Sequence, residues 1–217
     1  MPVICERFDS LGLDNPGKDV RLGIMGGTFD PIHMGHLACA EQARVAFALD
    51  AVIFIPTGVQ PFKQGKHVTD AAMRLEMCKL ACATNPFFDV SAIEIEREGL
   101  TYTVDTLRQL HEHYPSNVKL YFITGADAML SIVKWHDSAA IADLAHLIAV
   151  TRPGYEMTEE AKTELDAANF DVSYLETTAL SISSSMMRDW VREGKSIRYL
   201  TSLAVHDYIL AKGLYKD

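Results

Sequence analysis

Two histidines three positions apart, His33 and His36, follow a glycine pair in the string Gly26-Gly27-Thr28-Phe29-Asp30-Pro31-Ile32-His33-Met34-Gly35-His36. If the segment they open is helical, both rings lie on one face of its first turn, and Gly35 leaves space between them for a bulky group. Free amides at a helix start favour an anion, and adjacent glycines let the backbone come close to it. Two imidazoles aimed at one phosphate can donate hydrogen bonds as charge builds on it during transfer, without acting as nucleophiles. The same residues also admit histidines that serve only the structure, or two ligands of a metal. The placement at a helix start favours phosphate chemistry. No Gly-Lys-Ser/Thr follows, so the string is not a P-loop, and it is not GxGxxG.

The elements that must hold this loop are legible as an alternation. An apolar run at 21–25 predicts a strand ending at the glycines, and 34–49 carries apolar residues at helical spacing. Strand and helix then alternate: 51–55 strand, 71–83 helix, 87–91 strand, 104–113 helix and 119–124 strand. After these come 146–150 as strand, 159–168 as helix, 172–175 as a short strand, and two closing helices. Apolar runs without strict polar alternation, separated by helices, predict a Rossmann-like α/β fold: a mostly parallel sheet covered on both faces. Ligands in such sheets bind beyond the carboxyl ends of the strands where strand order reverses, so the loops after Met25, Ile55 and Thr124 are where a site is expected. Residues 1–20 hold turn formers such as Gly12, Pro16 and Gly17 and read as an extension before a single domain at 21–217.

Composition narrows the class. Of 217 residues, 48% are hydrophobic and 23% charged, as in an ordinary globular protein. No apolar run approaches the roughly 20 residues that span a bilayer, and Glu6, Arg7 and Asp9 interrupt any signal-peptide core, so no membrane association and a cytoplasmic location are expected. Cys5, Cys39, Cys78 and Cys82 form no CxxC pair and predict free thiols, those of Cys78 and Cys82 buried. His111 and His113 are expected at a solvated helix end. The net charge of -9 speaks against nucleic acid as a partner. An anionic substrate must then be held by a few local cations and helix starts. Whether copies join in a homo-oligomer is left open.

The loop at 26–36 is similar to the HxGH signature of the nucleotidyltransferase superfamily, which shares its histidine-pair loop with class I aminoacyl-tRNA synthetases. Its wording, GGTFDPxHxGH, resembles that of nicotinate mononucleotide adenylyltransferases. The resemblance implies an enzyme that transfers the adenylyl group of ATP to nicotinate mononucleotide, giving nicotinate adenine dinucleotide and pyrophosphate in NAD biosynthesis. It implies that Gly26, Gly27, Thr28 and Phe29 contact ATP and that His33 and His36 are catalytic.

Later segments are similar to the same family. In the second loop Lys63 matches a phosphate-binding cation, whereas Phe62 stands where the family commonly has histidine, with His67 as a substitute or a plain surface residue. Thr103, in Thr101-Tyr102-Thr103, matches a contact to the nicotinate carboxylate; read alone, it is a helix cap. In the third loop Gly125 and Asp127 match the turn that admits adenosine and binds its ribose, and Trp135 matches an aromatic on which the pyridine ring stacks, where a bare tryptophan reads as core. Ser183-Ser184-Ser185 and Arg188 resemble the ISSTxIR motif, with Ser185 in place of threonine. Serines opening a helix cap its amides, and Arg188, one turn in, can pair with pyrophosphate oxygens. Mg²⁺ is expected to arrive through the ATP phosphates with no protein carboxylate cage. Two rivals stay open: another HxGH transferase, acting on pantetheine phosphate or transferring a cytidylyl group, and a nucleotide sensor without turnover, which Phe62 alone favours.

Overall fold

The computed structural model of the chain describes residues 3–13, 16–59, 68–154, 157–178 and 180–216. Six parallel strands form its sheet: β1 Val20–Gly27, β2 Ala51–Pro56, β3 Phe88–Val90, β4 Val118–Gly125, β5 His146–Thr151 and β6 Val172–Glu176, in the order β3-β2-β1-β4-β5-β6. The chain winds outward from β1 through β2 to β3, then returns to place β4 on the other side of β1. Strand order therefore reverses between β1 and β4, the position where open parallel sheets bind ligands.

Each sheet face has its own core. Ile24, Ile53, Ile55, Phe122 and Leu147 pack on one side with residues of α3 Thr103–His113, α5 Ser138–Leu144 and α6 Glu159–Ala167. Their strand neighbours Met25, Val52, Phe54, Ile123 and Ile148 pack on the other, against α1 Met34–Ala46, α2 Ala71–Cys82, α7 Ser184–Arg192 and α8 Leu203–Lys212. Adjacent strand residues point to opposite faces, so a strand covered on both sides must be apolar throughout. All six residues of β2 are buried.

The strands and helices predicted from the sequence are present, with ends shifted by three residues at most. Between β4 and β5 the chain forms three short elements whose bounds the sequence pattern does not set: α4 Ala126–Met129, a 3-10 turn Ile132–Lys134, and α5. The segment before β1 is less separate than an extension implies. Ile4 and Cys5 are buried in the core, and Arg7 donates to the carbonyls of Ala83, Asn85 and Phe88 beside β3, the outermost strand on that side. His111 and His113 likewise do more than end a helix in solvent. His111 Nε2 lies 2.7 Å from the Leu144 carbonyl, and His113 Nε2 lies 3.0 Å from Asp9 Oδ1, joining α3 to its neighbours. All four cysteines are free thiols; Cys5, Cys78 and Cys82 are buried and Cys39 partly so. Burial pushes the Cys82 thiol up to about 12, which keeps it protonated and unreactive at neutral pH.

Candidate active site

The loop after β1 is shaped by side chains that turn back on it. Phe29 takes a left-handed backbone (φ 51°), held by a ring that is 2% exposed and meets His36 edge-on at 5.0 Å. The His33 and His36 rings stack with centroids 3.7 Å apart. A side chain at Gly35 would meet the His33 ring at about 3.0 Å, so the room that glycine leaves is taken by this histidine and not by an outside group. The His33 amide donates to His36 Nδ1 at 3.2 Å, which leaves the proton of a neutral His36 on Nε2. Burial holds the His33 imidazole down to about 4; burial and then the charge of His33 hold His36 down to about 3. Both rings are neutral at physiological pH and can donate one hydrogen bond each.

Two residues of α7 fasten this loop. Ser183 caps the helix by accepting from the Met186 amide, Ser184 Oγ donates to the Pro31 carbonyl at 2.8 Å, and Arg188 Nη1 donates to the Asp30 carbonyl at 2.7 Å. Ser185 Oγ lies 3.2 Å from Ser183 Oγ at the helix start. The serine-arginine motif thus sits against the histidine loop from 153 and 158 residues away in the chain.

A cavity of about 370 Å³ opens at the carboxyl ends of β1, β2 and β4. Its wall includes Gly26, Gly27, Thr57, Thr103, Thr124 and Trp135. Thr103 is the first residue of α3 and not its cap, a role that falls to Tyr102, whose side chain makes no capping bond. Trp135 is half-buried: Nε1 donates to Ser131 Oγ and the ring meets Phe122 edge-on at 6.2 Å, while the indole also lines the cavity. Gly125 and Asp127 are exposed at the end of β4, between the lining residues Thr124 and Ala128. Lys63, with Phe62 and His67, lies outside the described residues.

Buried polar groups nearly always find partners, so each one that does not calls for an explanation. Among the described residues five buried side-chain atoms lack one: His33 Nδ1, Thr57 Oγ1, Glu94 Oε2, Thr101 Oγ1 and His113 Nδ1. Three belong to cavity-lining residues and a fourth to the histidine pair.

Three residues of this region were not legible beforehand. Arg74 of α2, 3% exposed, donates to the carbonyls of Thr28, Thr57 and Thr69, which join the first and second loops. The Asp30 carboxylate accepts from Tyr215 near the end of the chain and from the Thr69 amide. Glu94, 6% exposed, lines the cavity. None has a local signal, because each is defined by a contact with a distant part of the chain.

Comparisons with known proteins agree with the geometry. Residues 24–189 match the model of the cytidylyltransferase-like family. A probable nicotinate-nucleotide adenylyltransferase of Desulfitobacterium hafniense is 50% identical over 209 residues, covering 95% of this chain and 100% of that protein. One from Moorella thermoacetica is 49% identical over 199 residues, covering 90% and 92%. The fold is similar to that of the Plasmodium falciparum nicotinic acid mononucleotide adenylyltransferase solved with NaAD, with a TM-score of 0.70 at 20% identity over 90% of this chain and 97% of the other. The chain therefore belongs to the cytidylyltransferase-like nucleotidyltransferases and, among them, to the nicotinate-nucleotide adenylyltransferases.

Proposed function

We propose that the chain transfers the adenylyl group of ATP to nicotinate mononucleotide, releasing pyrophosphate and forming nicotinate adenine dinucleotide, within a single domain at 21–217. The observation that carries this reading is the neutral, stacked histidine pair at the carboxyl edge of the sheet, in the loop that follows the cavity-lining Gly26 and Gly27. The relatives at 49% and 50% identity supply the choice of acceptor by their names.

In this reading an acceptor phosphate oxygen bonds to the α-phosphorus of ATP in line, the bond from that phosphorus to the bridging oxygen breaks, and pyrophosphate leaves with the electron pair. The acceptor phosphate is already ionised, so no strong base is required. His33 and His36 donate hydrogen bonds as negative charge spreads over the transferring group, and Lys63 and Arg188 neutralise the departing pyrophosphate. Gly26, Gly27, Thr28 and Phe29 cradle the triphosphate, with Ser184 and Ser185 at a helix start on the same side. Gly125 and Asp127 hold adenosine, Thr103 meets the nicotinate carboxylate, and the pyridine ring stacks on Trp135. Mg²⁺ belongs to the substrate, carried on the phosphates of ATP. Among the described residues no three His, Cys, Asp or Glu side chains gather as a ligand set. The described residues form no helix long and apolar enough to cross a membrane.

Pyrophosphate release measured with ATP or CTP against nicotinate mononucleotide, nicotinamide mononucleotide and pantetheine phosphate tests the assignment. ATP with a pyridine mononucleotide is expected to be the fastest pair. Fastest release with pantetheine phosphate, a preference for CTP, or none with any pair would overturn it.

A further inference from the structure

One carboxyl group in the cavity wall has no part in the chemistry above. Glu94 lies in the segment between β3 and α3, and Thr106 Oγ1 donates to its Oε1 at 2.8 Å. Arg97 Nη1 in turn donates to Thr106 Oγ1 at 3.2 Å, and its Nη2 donates to Gln109 at 2.7 Å. Oε1 is thereby committed as an acceptor, whereas Oε2 is buried and has no partner. Close by, Thr101 Oγ1 is also buried and unpaired. The second loop packs so tightly here that a side chain at Gly58 would lie 2.3 Å from the Glu94 carbonyl and 2.8 Å from Thr101 Oγ1.

Thr103 and Thr106 are three positions apart and share a face of the first turn of α3. The carboxyl bonded to Thr106 therefore belongs to the same end of the cavity as Thr103, the expected contact of the pyridine substituent. An unpaired carboxyl beside an anionic substrate is tolerable only when it carries a proton. With Oε1 accepting from Thr106, that proton sits on Oε2, the oxygen that lacks a partner in the protein.

We propose that Glu94 contacts the mononucleotide as a specificity residue: its protonated carboxyl donates from Oε2 to the nicotinate carboxylate, Thr101 supplies a second donor, and loss of the proton weakens the preference for the acid over the amide. The proposal rests on the acceptor assigned above. Ionised Oε2 repels a carboxylate and accepts from a carboxamide, so the contribution of this side chain favours the acid less as it ionises. Burial, opposed by the Thr106 hydrogen bond and Arg97, raises the Glu94 carboxyl to about 7, which puts that titration in the neutral range. The charged and titratable groups about it among the described residues are Arg97 on its own segment, with Tyr102 and His136 on the cavity wall; Asp105 of α3 faces Arg108 at 3.7 Å.

The sign follows from the protonated form being the acid-binding form. The ratio of kcat/KM for nicotinate mononucleotide to that for nicotinamide mononucleotide is highest below pH 7 and falls as pH rises through it. Titrations of the substrate phosphate and of the histidines affect both acceptors alike and cancel in the ratio. With wild-type protein and ATP, the ratio is expected to fall at least about tenfold between pH 6 and 8.5, the scale of one hydrogen bond to a charged group. In Glu94→Gln, which cannot ionise, it should be flat across that range. A second measurement needs no variant: calorimetric titration of wild-type protein at pH 7.5 in buffers of different ionisation enthalpy should show more proton uptake with the acid than with the amide. A pH-independent wild-type ratio, a ratio in Glu94→Gln that still falls, or equal proton uptake would each overturn the Glu94 contact alone. Failure to turn over either mononucleotide would overturn the acceptor assignment, and this contact with it.

Discussion

As proposed donors to the transferring group, His33 and His36 are buried enough to be neutral and are held against each other by stacking. Stacking at 3.7 Å places two imidazoles where two positive charges would repel, and desolvation keeps both unprotonated. A neutral donor needs no proton in flight when the α-phosphoryl group gathers charge, and it does not hold the product as tightly as a cation would. The His36 side chain accepts one hydrogen bond, from the His33 amide to its Nδ1, so its removal should leave the fold standing. In His36→Ala we expect turnover to drop roughly a hundredfold to a thousandfold, the usual cost of one preorganised donor, with an unchanged circular dichroism spectrum. Wild-type turnover by a folded His36→Ala protein would remove the residue from the mechanism. The pair was readable because both its members and its glycine fall within eleven consecutive residues. Glu94 was not, because a carboxylate in a charged stretch reads as solvated until its burial is known.

At the scale of elements, the site is three strand ends and the helices that fasten their loops. Arg74 is the clearest fastener: one buried guanidinium holds carbonyls of Thr28, Thr57 and Thr69, so the loops after β1 and β2 and the start of α2 move together or not at all. Removing it leaves several buried carbonyls unpaired, and Arg74→Met is expected to cost about 3 kcal/mol or more in a denaturant titration. Arg74→Lys keeps the charge but cannot reach three acceptors at once. It should fold and lose at least about tenfold in kcat, and a kcat equal to wild type would show that the loops do not need this tie. The strand-helix alternation was legible because apolar runs and helical spacing are local properties. The seven-residue α5 was not, since it is too short to show a period, and the burial of Ile4 and Cys5 was hidden because it depends on a distant sheet edge. Arg74 looked like any cation on a helix, for its three acceptors lie 5, 17 and 46 residues away.

The whole molecule carries a net charge of -9, yet its proposed substrates are both anions. The fold reconciles these by concentrating attraction at one edge. Parallel strands direct their carboxyl ends and the starts of the following helices to the same side, and the reversal between β1 and β4 opens a crevice there. In the proposed reaction neutral donors and helix amides do locally what overall charge would otherwise oppose, so an acidic net charge and the proposed ATP site can coexist. The architecture itself followed from the sequence pattern, whereas the strand order and the cavity required the chain to be folded.

The central claim is direct transfer of the adenylyl group at the histidine pair, and ATP labelled at its α-phosphate follows that group. Incubation with nicotinate mononucleotide should move the label into a dinucleotide in step with pyrophosphate release, with none retained on denatured protein at any time. Label trapped on the protein, or released as AMP with the mononucleotide unchanged, would contradict the account.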